Sequence, residues 1–76
     1  MSKLPVVSDS EMIKFLSKNG FSVLRQRGSH VSLYKKINGK SLLVIVPMKN
    51  EIKKGTMLSI LKQSNISREK FLKYFG

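Results

Sequence analysis

The sequence predicts a small α+β fold in which helices cover one face of a three-stranded antiparallel sheet, in the order α-β-β-β-α-α. Three observations support this fold. A helix-capping pattern opens the chain, two tight-turn signals divide the next segment into three short strands, and two stretches with helical apolar spacing follow. With 76 residues, the chain is long enough for a single domain over residues 1–76 with one thin core.

The first helix is predicted over residues 8–19. Ser8 and Glu11 have the spacing of a capping box, in which each side chain binds the backbone N–H of the other residue. The apolar residues that follow fall on one helical face, and Asn19-Gly20 is a typical left-handed stop. The sheet therefore begins after Gly20.

Three strands are predicted over residues 21–27, 30–37 and 41–46. Gly28-Ser29 makes the first connection. Asn38-Gly39 makes the second, because a type I′ turn requires positive φ at both of its central residues. Connections this short predict an antiparallel meander with the second strand in the centre.

Two helices are predicted after the sheet. A polar, basic loop leads to Gly55 as a turn and to Thr56 as the N-cap of the second helix, which ends near Asn65. Ser67 then begins a last short helix. The N-terminus of the second helix would offer free backbone N–H groups to an anion, although the glycine and lysine spacing is not that of a P-loop.

The charge of the chain indicates a polyanionic partner. Fifteen Lys and Arg against four Asp and Glu give a net charge of +11. Such an imbalance destabilises the compact state by self-repulsion, so it favours a partner that relieves it. Nucleic acid fits best, an acidic protein or an anionic membrane surface fits less well, and a basic surface kept for solubility is the simplest alternative.

The composition also excludes several classes of function. The chain has no cysteine, which rules out disulfides, thiolate zinc sites and a cysteine nucleophile. One histidine and four scattered carboxylates argue against a metal centre, and we expect no metal and no cofactor. No apolar run reaches the roughly 18 residues of a membrane span, and none resembles a signal peptide, so we expect a cytoplasmic protein without a membrane partner.

The second strand is predicted to present its polar side chains on an open face of the sheet. Alternation assigns Val31 and Leu33 to the core, which leaves His30, Ser32, Tyr34 and Lys36 on the other face. These groups suit the handling of phosphate, although any hydrophilic sheet face has this general appearance.

His30 is the predicted catalytic residue. A lone histidine more often has a structural role, but this one follows Arg25, Arg27 and the tight turn at Gly28-Ser29. Arginine binds phosphate through two parallel hydrogen bonds, and glycine lets a backbone approach its ligand closely. An imidazole is suited to remove the proton of a ribose 2′-hydroxyl. Further RNA contacts are predicted at Ser29, Lys36, Lys49, Lys53 and Lys54, and structural turns or caps at Gly28, Gly39, Gly55 and Thr56.

The third strand is predicted to bind a protein partner. Residues 42–46 are all apolar, so apolar groups occupy both faces of an edge strand. An apolar edge of this kind promotes aggregation unless something covers it. Its outer face, with Leu43 or Ile45, and its free edge are therefore the candidate partner site.

Several short motifs carry a family resemblance when they are read together. They are Gly20-Phe21, the arginine-bearing turn into Gly28-Ser29-His30, Val46-Pro47, Lys54-Gly55-Thr56 and Ile60-Leu61-Lys62-Gln63. In order and spacing they resemble the HicA toxins of toxin–antitoxin pairs, over nearly the whole chain. The resemblance implies a fold like that of double-stranded-RNA-binding domains, cleavage of messenger RNA with His30 as the catalytic histidine, and inhibition by a HicB-type antitoxin, as a dimer or a heterotetramer with that antitoxin.

The sequence departs from this family at one position that matters. Many members have a second histidine soon after the Val-Pro that matches Val46-Pro47, whereas this chain has Met48-Lys49. Any role of that histidine is therefore lost or passes to Lys49. Two alternatives to a ribonuclease toxin stay open: a non-catalytic RNA-binding module of the same fold, and an interaction protein whose basic face binds an acidic partner.

Overall fold

The computed structural model describes residues 4–76 and confirms the predicted α+β class and element order. The elements are α1 (Asp9–Lys18), β1 (Ser22–Arg27), β2 (His30–Ile37), β3 (Lys40–Pro47), α2 (Lys54–Ser64) and α3 (Arg68–Phe75). No helix in this part of the chain combines the length and the apolar character that crossing a membrane requires.

Helix α1 begins with the predicted capping box. The Ser8 hydroxyl accepts from the Glu11 backbone N–H at 3.2 Å, and the Glu11 carboxylate accepts from the Ser8 backbone N–H at 2.9 Å. Two of the four N–H groups that a helix start leaves unpaired are thus satisfied. At the other end, Gly20 has φ +92, the left-handed conformation expected after the helix.

The sheet has the order β1-β2-β3 and both strand pairs are antiparallel. Asn38 and Gly39 have φ values of 51° and 79°, as the predicted turn between β2 and β3 requires. The register of β1 against β2 shifts between Val23 and Arg25, so that Leu24 is an extra residue in β1. No local pattern in the sequence predicts this β-bulge.

One face of the sheet forms the core with the helices. The core comprises Val7, Met12, Phe15, Leu16, Phe21, Val31, Leu33, Val44, Val46, Ile52, Met57, Ile60, Leu61 and Phe71. Strands β2 and β3 contribute to it through alternate residues, as predicted for β2, whereas every residue of β1 is exposed. Val23 and Leu24 keep about half of their surface in solvent. The helices therefore cover the β2–β3 part of the sheet and leave β1 bare.

Helix α3 packs on α1 through aromatic rings. The ring centroids of Phe15 and Phe71 are 5.4 Å apart with their planes nearly perpendicular, and those of Phe15 and Phe75 are 5.5 Å apart. Such edge-to-face and tilted arrangements are the favourable geometries of aromatic pairs. Ser67 caps α3 by accepting from the Lys70 backbone N–H.

The predicted start of α2 is wrong. The helix begins at Lys54 with Lys53 as its N-cap, and no side chain caps its free N–H groups. Gly55 and Thr56 are therefore helical residues of the first turn and not a turn and an N-cap. The predicted end is confirmed, since Asn65 takes the left-handed conformation with φ 58°.

Candidate active site and RNA interface

On the open face of the sheet, two of the rows of side chains that cross the three strands contain an arginine. In the first row, Arg27 lies opposite His30, which lies opposite Pro47. In the second, Arg25 lies opposite Ser32, which lies opposite Ile45. Directly opposed residues of antiparallel strands point to the same face, with Cβ atoms about 4.5–5.5 Å apart. The register therefore brings both arginines to the side of the sheet that carries His30.

A cleft of about 430 Å³ lies beside His30, between the end of the sheet and α2. Its lining residues are Ser29, His30, Ile45, Pro47, Met48, Lys49, Lys53, Thr56, Ser59, Ile60 and Gln63. The charged groups in this set are the two lysines, and no carboxylate is among them. The cleft is therefore suited to a ligand that is anionic in one part and apolar in another.

Backbone hydrogen bonds hold the loop that forms one wall of the cleft. Met48 N–H donates to Ser29 C=O at 2.7 Å, and the Asp9 N–H donates to Lys49 C=O at 2.9 Å. Ile52 is buried, and its N–H donates to the Val7 carbonyl at 2.9 Å. The loop is thus tied to the β1–β2 turn and to the start of α1, which places Lys49 and Lys53 on the same side as His30.

The imidazole of His30 is solvent-exposed and, among residues 4–76, has one polar side chain within hydrogen-bond distance. The Ser29 hydroxyl oxygen lies 3.4 Å from Nδ1, and which of the two atoms donates depends on the tautomer of the ring. When Nδ1 carries the hydrogen and donates to Ser29, Nε2 has a free lone pair. In that tautomer His30 can accept a proton from a ligand.

A family model described as the HicA toxin of bacterial toxin–antitoxin systems matches residues 10–66. The chain belongs to the HicA toxin family. The match covers α1 except for its first residue, the whole sheet and α2, and so includes every residue that lines the cleft. No curated protein and no solved structure matches the chain. Membership of this family makes the HicA chain the toxin of a toxin–antitoxin pair. It also supports the prediction that the chain is an enzyme and implies an antitoxin as its partner.

The structure of the HicA chain brings only some of the predicted site residues together. Ser29, His30, Lys49 and Lys53 all line the cleft. Lys54, in the first turn of α2, is exposed and is not among the lining residues. Arg25 and Arg27 lie outside the cleft, on the open face of the sheet next to it.

Lys36 lies far from His30 on the same strand. It is six residues further along β2, about 20 Å away at the 3.3–3.4 Å rise per residue of a strand. Lys36 is exposed and lies opposite Ser41, near the β2–β3 hairpin. Alternation correctly predicted its face, but residues on one face of a strand of this length do not form a single site.

Sequence reasoning missed the contribution of α2 to the cleft. Thr56, Ser59 and Gln63 line it at helical spacings of three and four residues. Gln63 also contacts the sheet, because its Oε1 accepts a hydrogen bond from the Ile45 backbone N–H at 3.3 Å. Helical spacing could have shown that the three residues share a face, but not that this face borders His30.

The edge of β3 is less free than predicted. The hydrogen bond from Ile45 to Gln63 takes up one of its backbone donors. Apolar side chains occupy its outer face, as predicted, because Leu43 and Ile45 both point away from the core and are exposed.

No group of three or more His, Cys, Asp or Glu side chains that could hold a metal ion occurs within residues 4–76.

Proposed function

We propose that this HicA toxin is a metal-independent endoribonuclease that cleaves messenger RNA, with His30 as general base, and that a HicB-type antitoxin neutralises it. One observation carries the proposal. His30 is exposed, with Arg27 opposite it on the open face of the sheet and the lysine-lined cleft beside it. An imidazole, cationic side chains and space for a nucleotide thus occur at one place, and cleavage by internal attack needs these three features together.

The reaction would begin with transfer of the ribose 2′-hydroxyl proton to Nε2 of His30. The 2′-oxygen attacks the adjacent phosphorus, and the bond from phosphorus to the 5′-oxygen of the next nucleotide breaks. The departing 5′-oxygen takes a proton and becomes a 5′-hydroxyl, while the upstream fragment ends in a 2′,3′-cyclic phosphate. In the tautomer in which Nδ1 donates to the Ser29 hydroxyl, Nε2 has the free lone pair that this step requires.

Cations and backbone dipoles around His30 would stabilise the charge on the phosphoryl oxygens. Arg27 lies directly opposite His30, and Lys53 lines the cleft as the residue before α2. The first N–H groups of α2 have no side-chain cap, so the helix start adds favourable dipoles close to Lys53. Such preorganised groups stabilise a transition state without having to reorganise during the reaction.

The antitoxin would bind the outer face of β3 and cover the cleft. Leu43 and Ile45 expose 53% and 36% of their surfaces there, and Ile45 also lines the cleft. A partner seated on these side chains would therefore bury apolar surface and block access to His30 in one interaction. RNA and the antitoxin would then compete for the same region of the toxin.

Replacement of His30 tests the proposal. His30→Ala should lower the rate of RNA cleavage by about 10²–10⁴, the usual cost of losing a general base, and should abolish toxicity in cells. Because the side chain is exposed, the thermal unfolding temperature should stay close to that of the wild type. The cleavage rate, the thermal unfolding temperature and RNA affinity are measured on the same preparations.

Gln26→Ala is the matched control, since Gln26 is an exposed residue of the same sheet that lies opposite Val31, on the other face. It should cleave at the wild-type rate. Cleavage by His30→Ala at the wild-type rate would end the catalytic proposal. A wild-type protein that binds RNA but does not cleave it would indicate the non-catalytic RNA-binding module.

A further inference from the structure

The cleft beside His30 has two chemically different sides. Ile45, Pro47 and Met48 provide apolar surface on the sheet side, and Ile45 and Met48 are exposed side chains that take no part in the core. Ser59 and Gln63 provide a hydroxyl and a carboxamide on the α2 side. A flat ligand with apolar faces and a polar edge matches this pattern, and a nucleobase is such a ligand.

We infer that the cleft is a nucleobase subsite in which a base next to the scissile phosphate packs against Ile45 and Met48 and accepts a hydrogen bond at a carbonyl oxygen from Gln63 Nε2. The inference rests on the proposed function, because it takes RNA to be the ligand of the cleft. It adds to that function a residue of α2 that distinguishes one base from another.

The contact between Gln63 and β3 determines what the carboxamide can offer. Its oxygen accepts from the Ile45 backbone N–H, so the oxygen is directed to the strand and the amide nitrogen is left with two hydrogens to donate. A donor at this place recognises an acceptor on the base edge. Uracil, cytosine and guanine each have a carbonyl oxygen with two lone pairs, whereas adenine has only ring nitrogens with one lone pair each, so adenine should bind least well.

A base next to the reacting phosphate is the part of the RNA that should reach the cleft, because the cleft lies directly beside His30. If the 2′-oxygen lies within hydrogen-bond distance of His30, the bases on either side of the reacting phosphate are the nearest bulky groups. His30 itself lines the cleft, and Lys49 and Lys53 are on its rim to hold the flanking phosphates. Single-stranded RNA can turn an unstacked base into such a space and present its edge for hydrogen bonding.

The inference is tested with short single-stranded oligonucleotides of 2′-deoxy sugars that carry one base and are abasic elsewhere. They cannot be cleaved by 2′-attack, and only one base is present to enter the cleft. Fluorescence anisotropy at low salt should show that the wild type binds the uracil oligonucleotide about two- to tenfold more tightly than the adenine oligonucleotide, the usual effect of one neutral hydrogen bond.

Two substitutions of Gln63 separate recognition from structure. Gln63→Met removes the whole carboxamide at similar volume. Gln63→Glu keeps an oxygen for the Ile45 N–H but removes the donor. Both should bring the ratio of uracil to adenine affinity close to one. Lys62→Gln is the charge control for the Glu variant, since Lys62 is exposed outside the cleft and its loss also lowers the net charge by one. It should weaken both oligonucleotides equally and keep the ratio.

The outcomes distinguish this inference from the proposed nuclease activity. A wild-type ratio of one, or a ratio that both Gln63 variants retain, overturns the subsite even if RNA is cleaved through His30. A ratio that depends on Gln63 in a protein that cleaves no RNA supports the subsite and overturns the nuclease. Tighter binding of the adenine oligonucleotide than of the uracil oligonucleotide would contradict the assignment of Gln63 Nε2 as donor to a carbonyl oxygen.

Discussion

The two ends of β2 differ although their sequences suggest the same role. At one end His30 lies beside Arg27 and borders the cleft against α2. At the other, Lys36 lies opposite Ser41 near a hairpin turn and is exposed. Strand alternation places both on one face, but only the end that has a helix and an anchored loop next to it can enclose part of a ligand. The neighbouring elements, and not the face, determine where the site is.

The difference has a physical cause that applies to basic proteins in general. An exposed cation attracts RNA through long-range electrostatics, and this adds affinity without fixing the position of any one phosphate. A cation on the rim of a cleft acts together with the walls, so it adds affinity and also orients the ligand. We therefore expect Lys36 to influence RNA binding but not cleavage, and Lys53 to influence both binding and cleavage.

The largest effect that we expect on RNA affinity is its dependence on salt. If about four to six phosphates are contacted, the slope of log affinity against log salt is about −3 to −4, since each contact contributes roughly −0.7. Affinity for single-stranded RNA should therefore fall on the order of 10² between about 50 and 200 mM salt. Fluorescence anisotropy with a labelled RNA measures the slope.

Two charge-removing variants turn this measurement into a comparison of the two ends. Lys53→Gln should make the slope shallower by about 0.7 and slow cleavage at saturating RNA. Lys36→Gln should change at most the slope of log affinity against log salt. The cleavage rate of this variant at saturating RNA should equal that of the wild type. An equal loss of cleavage in both variants would mean that the two ends belong to one site. A flat salt response in the wild type would favour an acidic protein as the partner.

The next effect concerns the antitoxin, and it compares the two outward apolar residues of β3. Leu43 lies opposite Tyr34, away from the cleft, while Ile45 lines it. Leu43→Lys and Ile45→Lys should each improve solubility and weaken antitoxin binding by about tenfold or more, because an unpaired ammonium buried in an interface costs more than about 1 kcal/mol. Calorimetric titration of the toxin with antitoxin measures the change.

The cleavage rates of these variants sharpen the comparison. Leu43→Lys should cleave RNA at the wild-type rate because Leu43 does not line the cleft. Gln26→Lys is the control, since it adds the same charge on the opposite face of the sheet and should leave antitoxin binding unchanged. Unchanged affinity in both β3 variants would show that the antitoxin binds elsewhere.

Local signals in the sequence predicted most of the fold. The Ser8 and Glu11 capping box and the Asn38-Gly39 turn each depend on residues a few positions apart, and both were confirmed. The predicted start of α2 is wrong because Thr56 is of a residue type that favours the N-cap position. The observed N-cap, Lys53, makes no side-chain capping hydrogen bond, so its residue type does not indicate its position.

The candidate site could be predicted only in part. The face of His30 and the tight turn before it follow from alternation and glycine placement. The cleft depends on how α2 lies against the end of the sheet, and the Ile45–Gln63 hydrogen bond joins residues 18 positions apart. A single sequence holds no pattern for such a contact. The exposure of β1 could not be predicted either, because it depends on where the helices pack against the sheet.

The smallest expected effect is that of removing metal ions, and it follows from the solitary histidine. Cleavage by 2′-attack needs a base for the nucleophile and gains from an acid for the leaving 5′-oxygen. The chain has one histidine, so no second imidazole can supply that acid. A lysine ammonium is too weak an acid to be an efficient proton donor at neutral pH. Lys49, which lines the cleft, would therefore stabilise charge while water protonates the leaving group.

We accordingly expect a slow nuclease whose rate is the same with and without EDTA. Its rate should rise with pH, because a general base acts only in its unprotonated form. Mass spectrometry of the products should show 2′,3′-cyclic phosphate ends. A strict requirement for magnesium, or products with 5′-phosphate ends, would falsify the scheme, because a metal-activated water would then be the nucleophile in place of the ribose 2′-oxygen.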